Sequence, residues 1–246
     1  TEGDSAMTTA LSGLTEVGGD LFGILPLKGK PMNVLDASLP QLQKNEEFGW
    51  IKKALGLEQG KEYTSLDQLR YSSILLFTDA DLDGSHIKGL VINMIHTFWP
   101  SLIPLGFLNC IVTPVIKITV GRTIIEFTSD VAFKRWKEHN PDTKISNIKY
   151  YKGLGTSNKE EAKSYFRKLN EITVKFVPDE QTVETISRTF KKTRANDRKT
   201  WLLETNPQDI DFTGLHDLEL TRFFDNEFIN FSNADCKRSI PSIDGF

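Results

Sequence analysis

Apolar residues follow two alternating patterns along the first half of the chain, continuous runs of strand length and spacings typical of a helix face. Residues 73–78 are predicted to form a strand around an apolar run, whereas residues 87–98 place apolar side chains on one face of a helix that Pro100 and Pro104 would end. Helical spacing also covers residues 39–55. The same patterns predict strands at residues 21–25, 111–119 and 122–128, the last two joined by a turn at Gly121. This alternation predicts an α/β fold with a mostly parallel sheet flanked by helices.

The second half of the chain is predicted to form a mixed α+β segment. Residues 149–157 form a glycine-containing loop, and Ser157 with Glu160 forms a predicted capping box for the helix that follows. The apolar face of that helix consists of Ala162, Tyr165, Phe166 and Leu169. Further predicted elements are a strand at residues 173–177 and helices near residues 180–190, 197–204 and 215–231.

The chain has 246 residues, enough to bury a sizeable core in one large or two smaller domains. It contains no run of about 20 apolar residues and no secretory signal, so we expect neither a membrane span nor secretion. Cys110 and Cys236 lie far apart in the sequence and fit no zinc-binding spacing, so both are predicted to be reduced thiols.

The net charge of −3 conceals a basic middle segment between two acidic ones. Residues 134–202 hold 17 Lys and Arg against 9 Asp and Glu, a net charge of +8. Residues 1–133 hold 10 against 15, and residues 203–246 hold 3 against 9. A solvated surface is the ordinary explanation of lysine-rich helices. The glycine loop in this segment favours contact with DNA phosphates, because glycines before a helix expose backbone N–H groups; a plain tight turn is the alternative.

Three aspartates on alternate positions follow the apolar run at residues 73–78. Asp79, Asp81 and Asp83 stand before Gly84, where a helical pattern begins. Carboxylates about 4 Å apart repel one another by about 1 kcal/mol per pair even in water, so such a cluster predicts a divalent cation. Oxygen-only ligands suit hard ions such as Mg²⁺, and open α/β sheets bind ligands at the carboxyl ends of their strands. The pattern therefore predicts a phosphoryl-transfer site.

Two other interpretations of this acidic loop are less favoured. A solvated turn is disfavoured because the apolar strand directs all three aspartates into one loop. A calcium loop of the EF-hand type would use Asp79, Asp81, Asp83 and Gly84 as positions 1, 3, 5 and 6. Its position 12 requires a bidentate Glu, where this chain has Leu90, and the preceding flank is a strand rather than a helix.

A second acidic element precedes the helical pattern that starts near Met7. It reads Thr1-Glu2-Gly3-Asp4-Ser5, with Asp4 or Ser5 as the predicted helix cap. A Glu before a glycine turn, followed far downstream by DxDxDG, resembles the Toprim fold, the metal site of topoisomerases, primases and some nucleases. Longer strings resemble type IIA DNA topoisomerases, most closely the eukaryotic and large-DNA-virus branch, over residues 2–246. These strings are PLKGK at residues 26–30, NV at 33–34, TDADLDGSHIKGL at 78–90 and KGLGTS at 152–157.

This resemblance implies a Mg²⁺ site, with Mn²⁺ or Ca²⁺ as possible substitutes. Glu2, Asp79 and Asp81 would be the catalytic metal ligands. Asp83 would be either a further ligand or a residue that contacts the ligands without touching the metal. Glu2 has an alternative role as the proton carrier to the leaving 3′ oxygen. The resemblance also implies contacts with double-stranded DNA, made by Lys28, Lys30, His86, Lys88, Lys152, Gly153, Gly155, Thr156 and Ser157.

The family's nucleophilic tyrosine is implied to lie in a winged-helix domain beyond Phe246, and its ATPase domain before Thr1. The pair Arg70-Tyr71 matches the family elsewhere and is not the nucleophile. We therefore expect a fragment that is inactive alone, with ATP used only by the full-length protein. A homodimer is expected through regions outside this chain. Localisation is expected to be nuclear in a eukaryotic cell, or the host cytoplasm or nucleus for a virus.

The resemblance divides the chain into three predicted parts: a Toprim metal-binding domain at residues 1–133, a basic DNA-contacting segment at 134–205 and a helical lead-in to the winged helix at 206–246. Lys28 departs from the family, which mostly has Arg there. The planar guanidinium of Arg, which can donate two parallel hydrogen bonds, is therefore replaced by the compact ammonium of Lys. Two other hypotheses stay open: a free-standing Toprim nuclease or primase, and a non-catalytic, metal-dependent DNA-binding module.

Overall fold

The computed structural model describes residues 1–239, and the predicted α/β class is confirmed. Residues 240–246, the end of the predicted helical lead-in, lie outside the described residues. The strands are β1 (Ile74–Leu76), β2 (Leu108–Ile111), β3 (Ile116–Val120), β4 (Thr123–Phe127), β5 (Asn147–Tyr150), β6 (Thr173–Val177) and β7 (Asp217–Glu219). The helices are α1 (Gly3–Val17), α2 (Leu39–Lys44), α3 (Glu46–Leu55), α4 (Leu82–Phe98), α5 (Asp130–His139), α6 (Lys159–Arg167), α7 (Leu169–Ile172), α8 (Thr182–Phe190), α9 (Ala195–Glu204), α10 (Leu220–Phe223) and α11 (Ile229–Ser239).

The central sheet has four strands in the order β1-β2-β6-β7. Its outer pairs are parallel, with Ile74 opposite Leu108 in the first and Phe176 opposite Leu218 in the second. Strand β6 runs antiparallel to β2, so the sheet is mixed and is completed by strands from the second half of the chain. The three-part division predicted from the sequence stays a prediction.

A second sheet of order β4-β3-β5 is antiparallel throughout. The predicted turn at Gly121 joins β3 and β4, and its φ of 61° is a conformation that glycine adopts at no steric cost. Residue Ile111, predicted to start the first of these strands, belongs to β2 in the central sheet instead.

Helix α4 is buried on most of its sides rather than on one face. Ile92 and Ile95 are fully buried, and the polar side chain of Asn93 is buried with them. The reason is that α11 and the π-helical turn Phe224–Phe228 also pack against α4. Gly89 permits this approach, because a Cβ there would lie 2.3 Å from the Phe228 ring. The predicted termination before Pro100 is confirmed, since α4 ends at Phe98.

Two predicted elements differ from the structure. Residues 21–25 form no strand: a 3₁₀ turn at Gly19–Leu21 is followed by extended chain, whose single bridge joins Leu27 to Glu2. Pro26 lacks a backbone donor, which disfavours a ladder there. The predicted helix at residues 215–231 begins instead as strand β7, which pairs with β6, and becomes helical only at Leu220.

The remaining predicted elements are found, the strand at residues 173–177 with the predicted bounds and the others with shifted ends. Residues 39–55 form α2 and α3, and Gly56 ends α3 with a left-handed φ of 74°. The capping box of α6 uses Asn158 and Glu161, one residue later than predicted. Among the helices described over residues 1–239, none is both long and apolar enough to cross a membrane.

Candidate metal and DNA-contact site

The acidic loop lies at the carboxyl end of β1, as predicted for a ligand site in an open α/β sheet. Leu76 and Phe77 are buried, so the chain leaves the core directly before the aspartates. Asp81 caps α4 by accepting a hydrogen bond from the Gly84 N–H at 2.8 Å. This cap starts α4 at Leu82, five residues before the apolar helix face predicted at residues 87–98. A Cβ on Gly84 would lie 2.1 Å from the Asp79 carbonyl oxygen, so a glycine is required there.

Glu2 is placed beside this loop by backbone contacts. Its N–H donates to the Phe77 carbonyl at 3.3 Å, and its isolated bridge pairs it with Leu27. The Glu2 Oε2 atom accepts the Asp79 N–H at 3.3 Å. Burial raises the pKa of Glu2 above its usual range, and repulsion from Asp81, Asp79 and Asp83 adds to this effect. The first acidic motif and the aspartate loop thus form one electrostatic site.

The KGLGTS loop contacts the same site through Asp79. The Leu154 N–H donates to Asp79 Oδ1 at 2.8 Å. A Cβ on Gly153 would lie 2.4 Å from Asp79 Oδ2, so the loop backbone approaches the carboxylate as closely as a glycine allows. Two sequence motifs that lie 75 residues apart are therefore in direct contact.

The PLKGK string lines a cleft of about 670 Å³ together with Glu2, Asp83 and Trp50. Lys30 Nζ lies 2.9 Å from Asp83 Oδ1, and this hydrogen bond holds the pKa of Asp83 below its usual range. Lys28 is exposed, with its Nζ 4.6 Å from the centre of the Trp50 ring. One lysine of the string is therefore paired with an acid of the site, and the other faces solvent.

The carboxylates have the right chemistry for Mg²⁺, but three of them are occupied by protein groups. Asp79 accepts the Leu154 amide, Asp81 accepts the Gly84 amide, and Asp83 pairs with Lys30. Between Thr1 and Ser239, no three His, Cys, Asp or Glu side chains stand in a metal-binding arrangement. The all-oxygen donor set fits a bound hard cation. Each of these contacts uses one of the roughly four lone pairs of a carboxylate, so the acids can bind a cation as well.

The side chains of His86 and Lys88 pack against other residues of the protein. Lys88 Nζ lies 3.0 Å from Glu227 Oε2, and only 14% of the lysine side chain is exposed. Burial alone would lower the pKa of Lys88, but Glu227 raises it above its usual range. The His86 ring stacks on Phe231 with centroids 3.8 Å apart, and burial lowers its pKa to about 4. The DNA contacts of both residues stay predictions.

Several backbone amides of the KGLGTS loop donate hydrogen bonds within the protein, and only part of the loop faces solvent. The Thr156 N–H donates to the Gly153 carbonyl and the Leu154 N–H to Asp79, while Ser157 Oγ lies 3.0 Å from the Tyr165 hydroxyl. The amides of Leu154 and Thr156 are therefore already bonded within the protein. The residues that remain exposed for the predicted DNA contact are Lys152, Gly155 and Thr156.

Two acidic residues of this region had no signal in the sequence. Glu161 binds both ends of the KGLGTS loop, and Glu227 holds Lys88 and Ser85 from the far end of the chain. Trp201 is buried, and its Nε1–H donates to Asp225 at 2.8 Å.

Comparison with known proteins gives concordant matches. Residues 111–236 match the family described as the C-terminal associated domain of TOPRIM. The chain is 44% identical over 267 residues to DNA topoisomerase 2-alpha of Rattus norvegicus, covering 100% of this chain and 17% of the relative. It is 39% identical over 301 residues to DNA topoisomerase 2 of Acanthamoeba polyphaga mimivirus, covering 100% of this chain and 24% of the relative.

A solved structure agrees with these relatives. The crystal structure of the Plasmodium falciparum topoisomerase II DNA-binding, cleavage and re-ligation domain superimposes with a TM-score of 0.91 at 42% identity. The match covers 98% of this chain and 33% of that chain. The chain spans less than a quarter of the length of the rat and mimivirus relatives. With the family region covering more than half of its residues, the chain belongs to the type II DNA topoisomerases, as part of their Toprim region.

Proposed function

We propose that this chain is the Mg²⁺-binding and DNA-contacting portion of an ATP-dependent type II DNA topoisomerase. In this proposal it supports reversible cleavage and religation of double-stranded DNA by a tyrosine located outside the chain. ATP hydrolysis and the contacts of a homodimer are likewise proposed to lie outside it. The observation that carries the proposal is the convergence of four separated motifs on one site.

This convergence is specific because each motif touches another through a named contact. Glu2 accepts the Asp79 amide, Asp79 accepts the Leu154 amide, and Asp83 pairs with Lys30. These residues come from motifs at the start of the chain, after β1, in the PLKGK string and in the KGLGTS loop. A purely structural role does not explain so many acids in one place, because carboxylates that lie close together repel one another and destabilise the fold.

Glu2, Asp79 and Asp81 would hold the ion, with Asp83 released from Lys30 as a further ligand or left as its counter-charge. When bound, the ion would stabilise the charge that develops on the attacked phosphate and on the leaving 3′ oxygen. The residues of the chain hold the parts of the site in place. Asp81 fixes the first turn of α4 behind the site, and Asp79 ties the site to the KGLGTS loop.

Exposed lysines are proposed to hold the DNA backbone beside the carboxylates. Lys28 and Lys152 face solvent, and Lys30 would become available if Asp83 turned toward the ion. Lysine contacts to phosphate carry no sequence information, so they would position DNA rather than select a site. Burial raises the pKa of Glu2, which is the direction in which enzymes tune a Glu that carries protons, and this supports its alternative role toward the 3′ oxygen.

The test compares the unmodified chain with the variant Asp81→Asn and with a control variant, Asp20→Asn. Asparagine caps helices as well as aspartate, so the first variant removes a charge while keeping the cap of α4. Asp20 is an exposed acid remote from the aspartate loop in sequence. Calorimetric titration with Mg²⁺ and incubation with supercoiled plasmid, resolved on a denaturing gel, are run on all three proteins.

We expect the unmodified chain and Asp20→Asn to bind Mg²⁺, Asp81→Asn to bind it more weakly, and none to cut DNA or form a covalent adduct. Absence of Mg²⁺ binding by the unmodified chain would contradict the metal role. Metal-dependent nicking that disappears in Asp81→Asn would mean that water is the nucleophile, and the chain would then be a Toprim nuclease. ATP hydrolysis by a clean preparation would contradict the proposed division of labour.

A further inference from the structure

Glu161, in the first turn of α6, joins the two ends of the KGLGTS loop. The Tyr151 hydroxyl, just before residues 152–157, donates to Glu161 Oε1. The Asn158 N–H, just after the loop, donates to Glu161 Oε2 at 2.9 Å. The Asn158 side chain in turn accepts the Glu161 N–H at 2.9 Å. One carboxylate therefore accepts hydrogen bonds from the residues on both sides of the loop.

This carboxylate is held by positive charge from two lysines. Lys149 Nζ lies 3.0 Å and 2.8 Å from its two oxygens, and only 18% of the Glu161 side chain is exposed. Lys117 Nζ, with 11% of its side chain exposed, lies 4.0 Å from Oε1. Burial alone would raise the pKa of Glu161, but the hydrogen bonds from Lys149 and Tyr151 hold it below its usual range. The group is a charged acceptor and stays so at neutral pH.

The tip of the loop reaches the metal site. Leu154 is 2% exposed and packs with Ala6 and Phe77, and its N–H donates to Asp79 Oδ1. Gly153 lies against the same carboxylate. A continuous set of contacts therefore runs from Glu161, through the loop, to an acid of the site.

We infer that Glu161 is a positioning residue, which fixes the conformation of residues 152–157 and, through the Leu154 amide, the orientation of the Asp79 carboxylate. Its role toward the metal rests on the proposed function, since Asp79 is there assigned as a ligand. Its role in holding the loop does not depend on the proposed function. Groups behind metal ligands that fix their orientation typically change metal affinity by about 10- to 100-fold when removed.

The test compares Glu161→Ala and Glu161→Gln with a matched control, Glu160→Gln. Glu160 is the preceding residue on the same helix turn, but its side chain is 75% exposed and pairs only loosely with Lys163 at 3.5 Å. Hydrogen exchange of the Leu154 amide is measured by NMR on the ¹⁵N-labelled chain without metal. Mn²⁺ affinity is measured separately by calorimetry. The Ile92 amide in α4 serves as an internal reference for global unfolding.

We expect Glu161→Ala to exchange the Leu154 amide about tenfold faster, relative to Ile92, and to lose about tenfold in Mn²⁺ affinity. Glu161→Gln should show a smaller effect in the same direction, because the amide oxygen still accepts one hydrogen bond. Glu160→Gln should match the unmodified chain. Equal acceleration at Leu154 and Ile92 would show general destabilisation and would overturn the inference.

Tyr151→Phe covers the case in which Glu161→Ala does not fold. It keeps the buried ring and removes only the hydroxyl that donates to Glu161. Faster exchange at Leu154 in this variant supports the inference, and an unchanged rate overturns it. If the unmodified chain does not bind Mn²⁺, the proposed function fails, while the exchange data still decide whether Glu161 holds the loop.

Discussion

Gly153 lies at the contact between the KGLGTS loop and Asp79, and its missing side chain makes that contact possible. Its backbone is extended, so the requirement for glycine is one of space rather than of conformation. A Cβ would lie 2.4 Å from Asp79 Oδ2, well inside van der Waals contact. Either the loop or the carboxylate would have to move to admit a methyl group.

Gly153→Ala is therefore expected to destabilise the chain by about 1–3 kcal/mol, a typical cost of inserting a methyl group into a packed site. Gly155→Ala is the matched control in the same loop, because its Cβ would have Ser5 Cβ at 4.0 Å as its nearest atom. Urea unfolding followed by circular dichroism measures both. Equal stability of the two variants would contradict the contact between Gly153 and Asp79.

His86 provides a pH-dependent prediction at the same scale. Burial lowers its pKa from 6.5 to about 4, with Lys30 and Arg238 also lowering it and Asp235 and Asp83 opposing them. The folded chain therefore binds fewer protons than the unfolded chain between these values. The contribution of His86 to stability is complete above about pH 6.5 and decreases as the pH falls toward 4.

His86→Gln should show a smaller loss of unfolding free energy between pH 7 and pH 4.5 than the unmodified chain. Denaturant titrations at both pH values measure the difference. His139 is exposed at the end of α5, and His139→Gln serves as the matched histidine control. Identical slopes for all three proteins would contradict the burial of His86.

At the scale of elements, the π-helical turn Phe224–Phe228 carries Glu227 to the first turns of α4. Glu227 Oε2 accepts Ser85 Oγ at 3.2 Å and pairs with Lys88, so this turn supports the helix that follows the aspartate loop. Both charged side chains are mostly buried, at 14% and 19% exposure. Removing one partner leaves the other charge without compensation.

Glu227→Gln is expected to lower the unfolding free energy by about 3 kcal/mol, because Lys88 would remain buried without its counter-charge. The control is Asp235→Asn, which breaks an exposed ion pair with Arg238 and should cost at most about 1 kcal/mol. Thermal and urea unfolding measure both variants. A cost for Glu227→Gln no larger than the control would show that the pair is solvated.

Local patterns in the sequence predicted those elements whose formation depends on local interactions. The hairpin at Gly121 and the helices of residues 39–55 agree with prediction because turn residues, caps and apolar spacing act over a few positions. Strand β7 was predicted as helix, since only its pairing with β6 makes it a strand. Helix α4 was predicted with one buried face, because its second packing surface comes from residues more than 120 positions away.

The same distinction applies to the candidate site. The acids and lysines were identified from their motifs, and the contact of Asp79 with the KGLGTS loop brings two of those motifs together. Glu161 and Glu227 were missed because their importance depends on partners such as Tyr151 and Lys88 rather than on a local pattern. The burial of Lys88 also could not be inferred from a helix whose polar positions normally face solvent.

At the scale of the whole molecule, the central sheet combines strands from both halves of the chain. Strand β6 pairs with β2, with Val174 opposite Cys110, and β7 extends the same sheet. A chain cut after residue 133 would leave the edge of β2 unpaired and would expose apolar groups that Val174 and Phe176 cover. The predicted boundary at residues 133 and 134 can be tested directly on this basis.

We expect residues 1–133 alone to unfold without cooperativity or to associate, whereas residues 1–246 unfold in a single transition. Differential scanning calorimetry and size-exclusion chromatography of the two proteins measure this. A cooperative, monomeric fragment of residues 1–133 would contradict the expectation and would establish that part as an independent domain.

The pairing of β2 with β6 also affects the order in which the chain folds during synthesis. Ribosomes add about 5–20 residues per second, so β2 emerges several seconds before β6 is available. During that interval the apolar edge of β2 is open to other chains, and unpaired strand edges promote aggregation. The strand that completes the sheet is thus made late, and slow translation between residues 111 and 173 would prolong the exposure. Co-expression with a chaperone that covers nascent strands should then raise the soluble yield.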